Sequence, residues 1–268
     1  MTETRHEEPS PFNRRRFLKV IGVTSAGAGA ALARSTIAET SPAHSPPSAD
    51  TAAEPQHQWG MVIDLRRCDG CAKCTAACQD THHLSKDQTW IKVYTQKDTD
   101  GRTYYQPVLC QECDNAPCLK VCPVGATFRN PDGVVLVDQN VCIGCRACMA
   151  ACPYGARYFN WSQPPAVANL REQPMPEFPV PQKKGTVGKC ILCVHYTNVG
   201  RLPACVDACA MHAIYIADFK QDVATNNNGE TVKLSQFLRD NDAVRFREDM
   251  GTQPRVWYIP GHAQDLNY

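Results

Sequence analysis

Long hydrophobic runs are missing from this 268-residue chain. Its most apolar stretch, 20–33, is about 14 residues long and diluted by Gly22, Thr24, Ser25, Gly27 and Gly29, short of the roughly 20 apolar residues a spanning helix needs. Attachment to a membrane would therefore run through partners. An excess of one charge is missing too: 28 basic residues stand against 27 acidic ones, so no nucleic-acid footprint is implied. There is no Gly-rich phosphate loop, nucleotide fingerprint or Ser/His/Asp arrangement. Without an independent substrate site, the chain is expected not to be a catalyst by itself.

The amino terminus reads as an address. Asn13-Arg14-Arg15-Arg16-Phe17-Leu18-Lys19, followed by that weakly apolar run, has the form of a twin-arginine export signal, so 1–33 is expected to be a signal peptide. Small residues at Ala31 and Ala33, or at Thr36 and Ala38, offer cleavage sites. A basic patch before a buried helix is the competing reading. Removing 1–33 leaves 23 basic against 24 acidic side chains, a nearly neutral body. Residues 34–57, rich in Pro, Ala, Ser and Thr, are expected to be a disordered linker, since they cannot bury enough apolar surface to order themselves. The twin-arginine route carries folded proteins, which suits metal centres inserted in the cytoplasm, and it predicts a periplasmic location.

What the chain has in quantity is cysteine. The sixteen fall into four groups: Cys68, Cys71, Cys74 and Cys78; Cys110, Cys113, Cys118 and Cys122; Cys142, Cys145, Cys148 and Cys152; Cys190, Cys193, Cys205 and Cys209. The first and third are spaced C-x2-C-x2-C-x3-C, and Pro153 completes the bacterial ferredoxin signature in the third. Four groups of four supply thiolates for four [4Fe–4S] clusters with none left over. An oxidising destination makes disulfides one competing reading, but a disulfide framework has no reason to repeat the same cassette. Zinc is another, yet zinc loops bring two ligands each, whereas here three arrive together and a fourth follows. Only the fourth group, with eleven residues between Cys193 and Cys205, looks zinc-like in isolation.

Geometry accounts for the spacing. Gly70 and Gly144, each just before the second cysteine of its loop, are expected to take positive φ and let backbone N–H groups approach sulfur. Short helices are expected over 75–81 and 149–152. On a helix the step from Cys74 to Cys78 keeps the same face but advances about 6 Å. The fourth thiolate then reaches a neighbouring cluster, as in two-cluster ferredoxins.

Between the cysteine groups, β-branched and aromatic runs predict strands at 60–65, 90–94, 103–109, 133–138, 157–161, 213–219 and 255–259. An amphipathic helix is expected over 232–239. The proline-rich segment 162–182 is expected to be an extended, surface-lying connector. The fold class that follows is α+β and loop-rich, with short strands and helices packed around clusters that replace part of the aliphatic core.

The chain resembles, over about 58–260, the four-cluster electron-transfer subunits of membrane-linked molybdopterin oxidoreductases. The resemblance rests on the order of the four groups, on C-x2-C-x4-C-x3-C-P from Cys110 to Pro123, and on C-x2-C-x11-C-x3-C from Cys190 to Cys209. It extends to Met61-Val-Ile-Asp64, Cys113-Asp-Asn-Ala-Pro-Cys118, Cys142-Ile-Gly-Cys145, Cys152-Pro-Tyr-Gly155, Lys189-Cys190, Cys193-Val-His195 and Pro203-Ala-Cys205. Such subunits serve dimethyl sulfoxide, polysulfide, tetrathionate, arsenate and nitrite reduction. A related periplasmic iron–sulfur subunit belongs to a membrane complex associated with sulfite reduction.

The resemblance implies two ferredoxin-like units, each with two clusters, in a pseudo-two-fold relation. One would comprise 58–101 plus 183–219 with groups one and four, and the other 102–161 with groups two and three; 162–182 connects them and 220–268 is a C-terminal extension. It also implies the ligand sets. Cys68, Cys71, Cys74 and Cys209 would hold the first cluster, and Cys190, Cys193, Cys205 and Cys78 the second. Cys110, Cys113, Cys118 and Cys152 would hold the third, and Cys142, Cys145, Cys148 and Cys122 the fourth. Gln79 and Ala210 depart from the proline that often follows the fourth cysteine.

Other residues invite weaker roles. His195 either donates to a cluster sulfur or is a half-buried packing residue; His82 and His83 are read as surface residues or as residues behind the ligands. Arg146, Lys73 and Lys120 lie in or beside cluster loops, where they either offset cluster charge or are simply solvated. Trp59, Trp90, Trp161 and Trp257 are expected to fill core or interface. The function implied is a periplasmic relay of single electrons between an integral-membrane quinone/quinol-handling subunit and a catalytic molybdopterin subunit. The alternative is the same role in a membrane complex of sulfur or sulfite metabolism with a c-type haem partner. A stand-alone cluster catalyst and a structural zinc module are the readings from other classes.

Overall fold

The computed structural model describes residues 55–163 and 174–261, all within one compact unit. The expected signal peptide at 1–33, the linker to residue 54 and the middle of the proline-rich connector lie outside the described residues.

In chain order, β1 (Trp59–Asp64) leads into α1 (Lys73–Thr81), and a hairpin of β2 (Lys92–Lys97) and β3 (Thr103–Val108) follows. Next come α2 (Pro117–Lys120), the pair β4 (Thr127–Arg129) and β5 (Val135–Val137), α3 (Ala147–Ala150), and the pair β6 (Arg157–Phe159) and β7 (Val187–Lys189). After these stand α4 (Val194–Thr197), α5 (Ala204–Asp207), β8 (Ile214–Asp218), β9 (Val223–Thr225) and β10 (Thr231–Lys233). The chain continues through α6 (Leu234–Asp240), β11 (Val244–Arg245) and β12 (Val256–Ile259). The fold is α+β and loop-rich, with small sheets around the cysteine loops.

The largest sheet has the order β10-β9-β8-β1-β12-β11. β1 pairs in parallel with β12 and antiparallel with β8. Side chains alternate along a strand, and here both faces are covered. Met61, Ile63, Ile214 and Ile216 enter the main core, which also contains Cys74, Cys78, Cys190, Cys205 and Cys209. Val62, Tyr215 and Ala217 point the other way, into a second core with Leu234, Phe237 and Leu238 of α6. A third core gathers Cys113, Cys118 and Cys148 with Val135 and Val187.

Several expectations change: the helix expected over 149–152 runs from Ala147 to Ala150, and the strand expected at 90–94 from Lys92 to Lys97. The helix expected over 232–239 starts at Leu234, because Val232 and Lys233 pair with Ala224 and Val223 across the turn at 226–229. Segment 174–182 is packed rather than surface-lying: Pro174, Pro179, Val180 and Gln182 are buried. The Gln182 side-chain oxygen accepts from Gln139 and Asn160, both at 3.0 Å. Polar anchoring of this kind leaves no periodic trace in the sequence.

The carboxyl-terminal part does more than extend the fold. Asp114 N–H donates to the Gln253 carbonyl, Asn115 N–H to that of Thr252, and Arg255 N–H to that of Gln111. The next residue opens β12 beside β1. The segment thus fastens the second cysteine loop to the sheet from which the first one emerges.

Candidate iron–sulfur centres

The four cysteine loops share one backbone device. The residue before the second cysteine takes positive φ in every loop: Gly70 at 77°, Glu112 at 44°, Gly144 at 70° and Leu192 at 52°. Only glycine adopts this region without cost. Gly144 is doubly constrained, because a Cβ there would collide with the carbonyl oxygen of Gly185. Gly70 has the ring of Tyr105 over the same position. Loops two and four turn in the same sense without glycine.

Each loop delivers its later cysteines from a short helix. Cys74 and Cys78 lie on α1 and Cys205 on α5, with Cys209 just beyond; α1 and α5 pack together. Cys118 on α2 and Cys148 on α3 repeat the arrangement, with Cys122 and Cys152 just beyond their helices. The fourth cysteine of one group thereby reaches the other group of its unit.

Two cavities make this visible. One is lined by Cys110, Cys113, Cys118 and Cys152. The other is lined by Cys122, Cys142, Cys145 and Cys148. In the first unit, Cys74 is neighboured by Cys68 and Cys209, and Cys205 by Cys193, Cys78 and Cys190. Cys74 also neighbours Cys78, Cys190 neighbours Cys110, and Cys118 neighbours Cys148. The quartets therefore form a line: one, two, three, four. Cys71 in the first and Cys145 in the fourth are exposed, whereas Cys78, Cys190, Cys193 and Cys205 are all buried.

The sulfur chemistry fits a cluster in each place. Burial pushes the thiols of Cys74 and Cys190 up to about 11 and those of Cys113 and Cys193 up to about 12. It holds Cys78, Cys110 and Cys205 well above the ordinary range, with neighbouring sulfurs adding to the effect. Buried thiols crowded in this way lose their protons when iron is bound between them. Backbone donors are already aimed at sulfur: Leu192 N–H at Cys190 Sγ (3.4 Å) and Ala213 N–H at Cys209 Sγ (3.3 Å). At Cys122 burial opposes the thiolate, but the N–H groups of Thr127, Val124 and Ala126 outweigh it and lower the pKa. Among the described residues, no three His, Cys, Asp or Glu side chains converge tightly enough for a single ion. A cubane spreads its thiolates more widely than one ion does.

The cations that matter are not those the loops advertise. Lys73, Lys120 and Arg146 are exposed, and Arg146 stacks over Trp161 at 4.9 Å. The buried ones are Lys189, Arg157 and Arg255. Lys189 Nζ, 1% exposed, donates to Glu112 Oε1 at 3.0 Å and to the carbonyls of Val135 and Cys190. Glu112 Oε2 accepts from Val135 N–H at 2.7 Å. Burial works against the Lys189 ammonium, but Cys110 and Glu112 outweigh it and raise its pKa. Arg255 Nε donates to the Glu112 carbonyl at 2.9 Å. These bonds hold Glu112, and with it the strained turn of the second loop.

Of the histidines, His82 rather than His195 meets a sulfur. His82 caps α1, is 1% exposed, and sets Nε2 at 3.3 Å from Cys193 Sγ while its ring packs on Trp90. His195 packs against Phe178 and Tyr196, in line with the packing alternative, and His83 is exposed. The four-residue step from Cys78 to His82 along one helix face is the signal that could have found it. Trp90 fills core, whereas Trp161 is 68% exposed.

Comparison with known proteins identifies iron–sulfur domains in this chain. Two models of 4Fe-4S dicluster domains match, one over residues 67–126 and the other over 101–168. The chain is 35% identical to the iron–sulfur subunit of arsenate respiratory reductase from Shewanella sp., covering 75% of this chain and 95% of that one. It is 34% identical to a tetrathionate reductase subunit of Salmonella typhimurium, covering 92% and 88%. The iron–sulfur cluster-binding subunit of menaquinone reductase from Nitratidesulfovibrio vulgaris is 34% identical, covering 75% and 88%. With sixteen cysteines, the dicluster matches give four [4Fe–4S] clusters.

Proposed function

Because the chain belongs to the iron–sulfur, electron-transferring subunits of molybdopterin-type reductases, we propose that it relays single electrons between a membrane quinone/quinol-handling subunit and a catalytic molybdopterin subunit. The ligands are the four quartets: Cys68, Cys71, Cys74 and Cys209; Cys78, Cys190, Cys193 and Cys205; Cys110, Cys113, Cys118 and Cys152; Cys122, Cys142, Cys145 and Cys148. The observation that carries this reading is the line of four thiol quartets, wholly buried at the second and exposed at Cys71 and Cys145 in the first and fourth. Electrons enter and leave at those two loops. The clusters supply the redox chemistry; the chain supplies fixed spacing, exclusion of water, and N–H donors to sulfur that tune each potential.

Metal analysis is the test. Anaerobically isolated protein should carry about sixteen irons with matching acid-labile sulfide, and stepwise reduction should develop four EPR signals. Stoichiometric zinc without sulfide, or intact S–S bridges, would end this reading. The alternative reading is the same relay role in a membrane complex of sulfur or sulfite metabolism with a c-type haem partner. Co-purification of a c-type haem subunit instead of a molybdopterin subunit would favour it.

The periplasm is the proposed location, on the strength of Arg14, Arg15 and the run behind them. Replacing both arginines by lysine should strand the folded, cluster-loaded protein in the cytoplasmic fraction. Unchanged fractionation would count against export by this route. Among the described residues, no helix is long and apolar enough to cross a membrane, so membrane association is assigned to the partners.

A further inference from the structure

One buried charge stands in the wall between the third and fourth quartets. Arg157 opens β6 and is 5% exposed. It lines the cavity of Cys110, Cys113, Cys118 and Cys152. Its Nη1 donates to Thr127 Oγ1 at 3.2 Å, and Thr127 lines the other cavity, with Cys122, Cys142, Cys145 and Cys148. Nη2 is buried and has no hydrogen-bond partner among the described residues. The guanidinium lies beside the sulfurs of Cys118 and Cys148, one from each quartet.

Lys189 supplies the contrast. It lies between Cys110 of the third quartet and Cys190 of the second, but Glu112 at 3.0 Å balances its charge. Arg157 has no carboxylate partner among the described residues. A guanidinium keeps its charge when buried. A fixed positive charge in a water-poor interior favours whichever state of its neighbours is more negative, which for a cluster is the reduced one.

We propose that Arg157 is a positive charge shared by the third and fourth clusters, donating N–H···S hydrogen bonds to both and raising their two reduction potentials together. Each of these clusters then takes up its electron beside the same cation, so both potentials move in the same direction. Arg157 touches ligand sulfur and takes no part in ligation. The proposal rests on the ligand quartets given above.

The test is a redox titration of the intact complex, or of the full chain, followed by low-temperature EPR in wild type, Arg157→Met and Arg157→Lys. Iron is counted first, because wild-type protein without about sixteen irons refutes the quartets rather than the arginine. With the iron in place, Arg157→Met should disfavour reduction of two clusters at least tenfold, about 59 mV for a one-electron couple, and leave the other two within half that shift. Arg157→Lys, which keeps the charge, should retain most of the potential. Four unmoved potentials in Arg157→Met, or four equal shifts, overturn the proposal. If Arg157→Met does not assemble its clusters, wild type grown on nitrogen-15 arginine decides. Pulsed EPR of the reduced protein should then show a nitrogen-15 coupling that Arg157→Lys lacks, and its absence from wild type is equally fatal.

Discussion

Lys189→Met should destabilise the protein by about 3–5 kcal/mol, because it leaves the Glu112 carboxylate buried without its cation. The two side chains are 1% and 0% exposed, so neither water nor salt can replace the lost partner. Damage should spread beyond the pair, since Lys189 also binds the carbonyls of Val135 and Cys190 and so ties β5 to the fourth cysteine loop. Glu112 itself sits at positive φ in the second loop, a conformation worth of order 1–3 kcal/mol in strain that its partners must sustain. Denaturant unfolding of the anaerobic holoprotein, followed by cluster absorbance, measures the effect. The double variant Lys189→Met/Glu112→Gln should recover a large part of the loss, because no unpaired charge remains. A single variant within about 1 kcal/mol of wild type would show that the pair is dispensable.

Cys205→Ala should cut the relay in its interior. Cys205 is buried on α5, with Cys78, Cys190 and Cys193 as neighbours. Its loss should remove about four of about sixteen irons, since one cubane loses a ligand and the others keep theirs. The second site stands between Cys74 of the first quartet and Cys110 of the third, so no bypass exists along the line of quartets. Quinol-linked turnover of the complex should fall to background, while the catalytic partner supplied with an artificial donor keeps its activity. The checks are iron content and the two assays side by side. Full iron content, or undiminished quinol-linked turnover, would remove this cysteine from the wire.

The legibility of this molecule follows the range of its interactions. Gly70 and Gly144 are readable because a ligand loop leaves two residues between cysteines, and glycine is the residue that turns there freely. Glu112 and Leu192 occupy the same conformation and are not readable, because the interactions that hold Glu112 come from Lys189 and Arg255, far along the chain. The strands at 59–64 and 214–218 announce themselves by β-branched, apolar composition; β4, β7, β9, β10 and β11, of two or three residues, are too short to show a period. Adjacency to Cys193 points to His195, whereas the histidine near sulfur is His82, one helical turn beyond Cys78. Adjacency likewise favours the exposed Lys73, Lys120 and Arg146, whereas Arg157 and Lys189 reach the quartets through the pairing of β6 with β7.

By itself the sequence determined the cofactor, its number and the α+β, loop-rich class, since cluster ligation is a short-range matter of thiol spacing along a few residues. The resemblance already implied which cysteines share a cluster; only the tertiary structure decided the order of the four sites in a line and which buried cations stand between them. Those depend on contacts between residues as far apart as Glu112 and Lys189, and such contacts exist only once strands and helices have brought distant segments together.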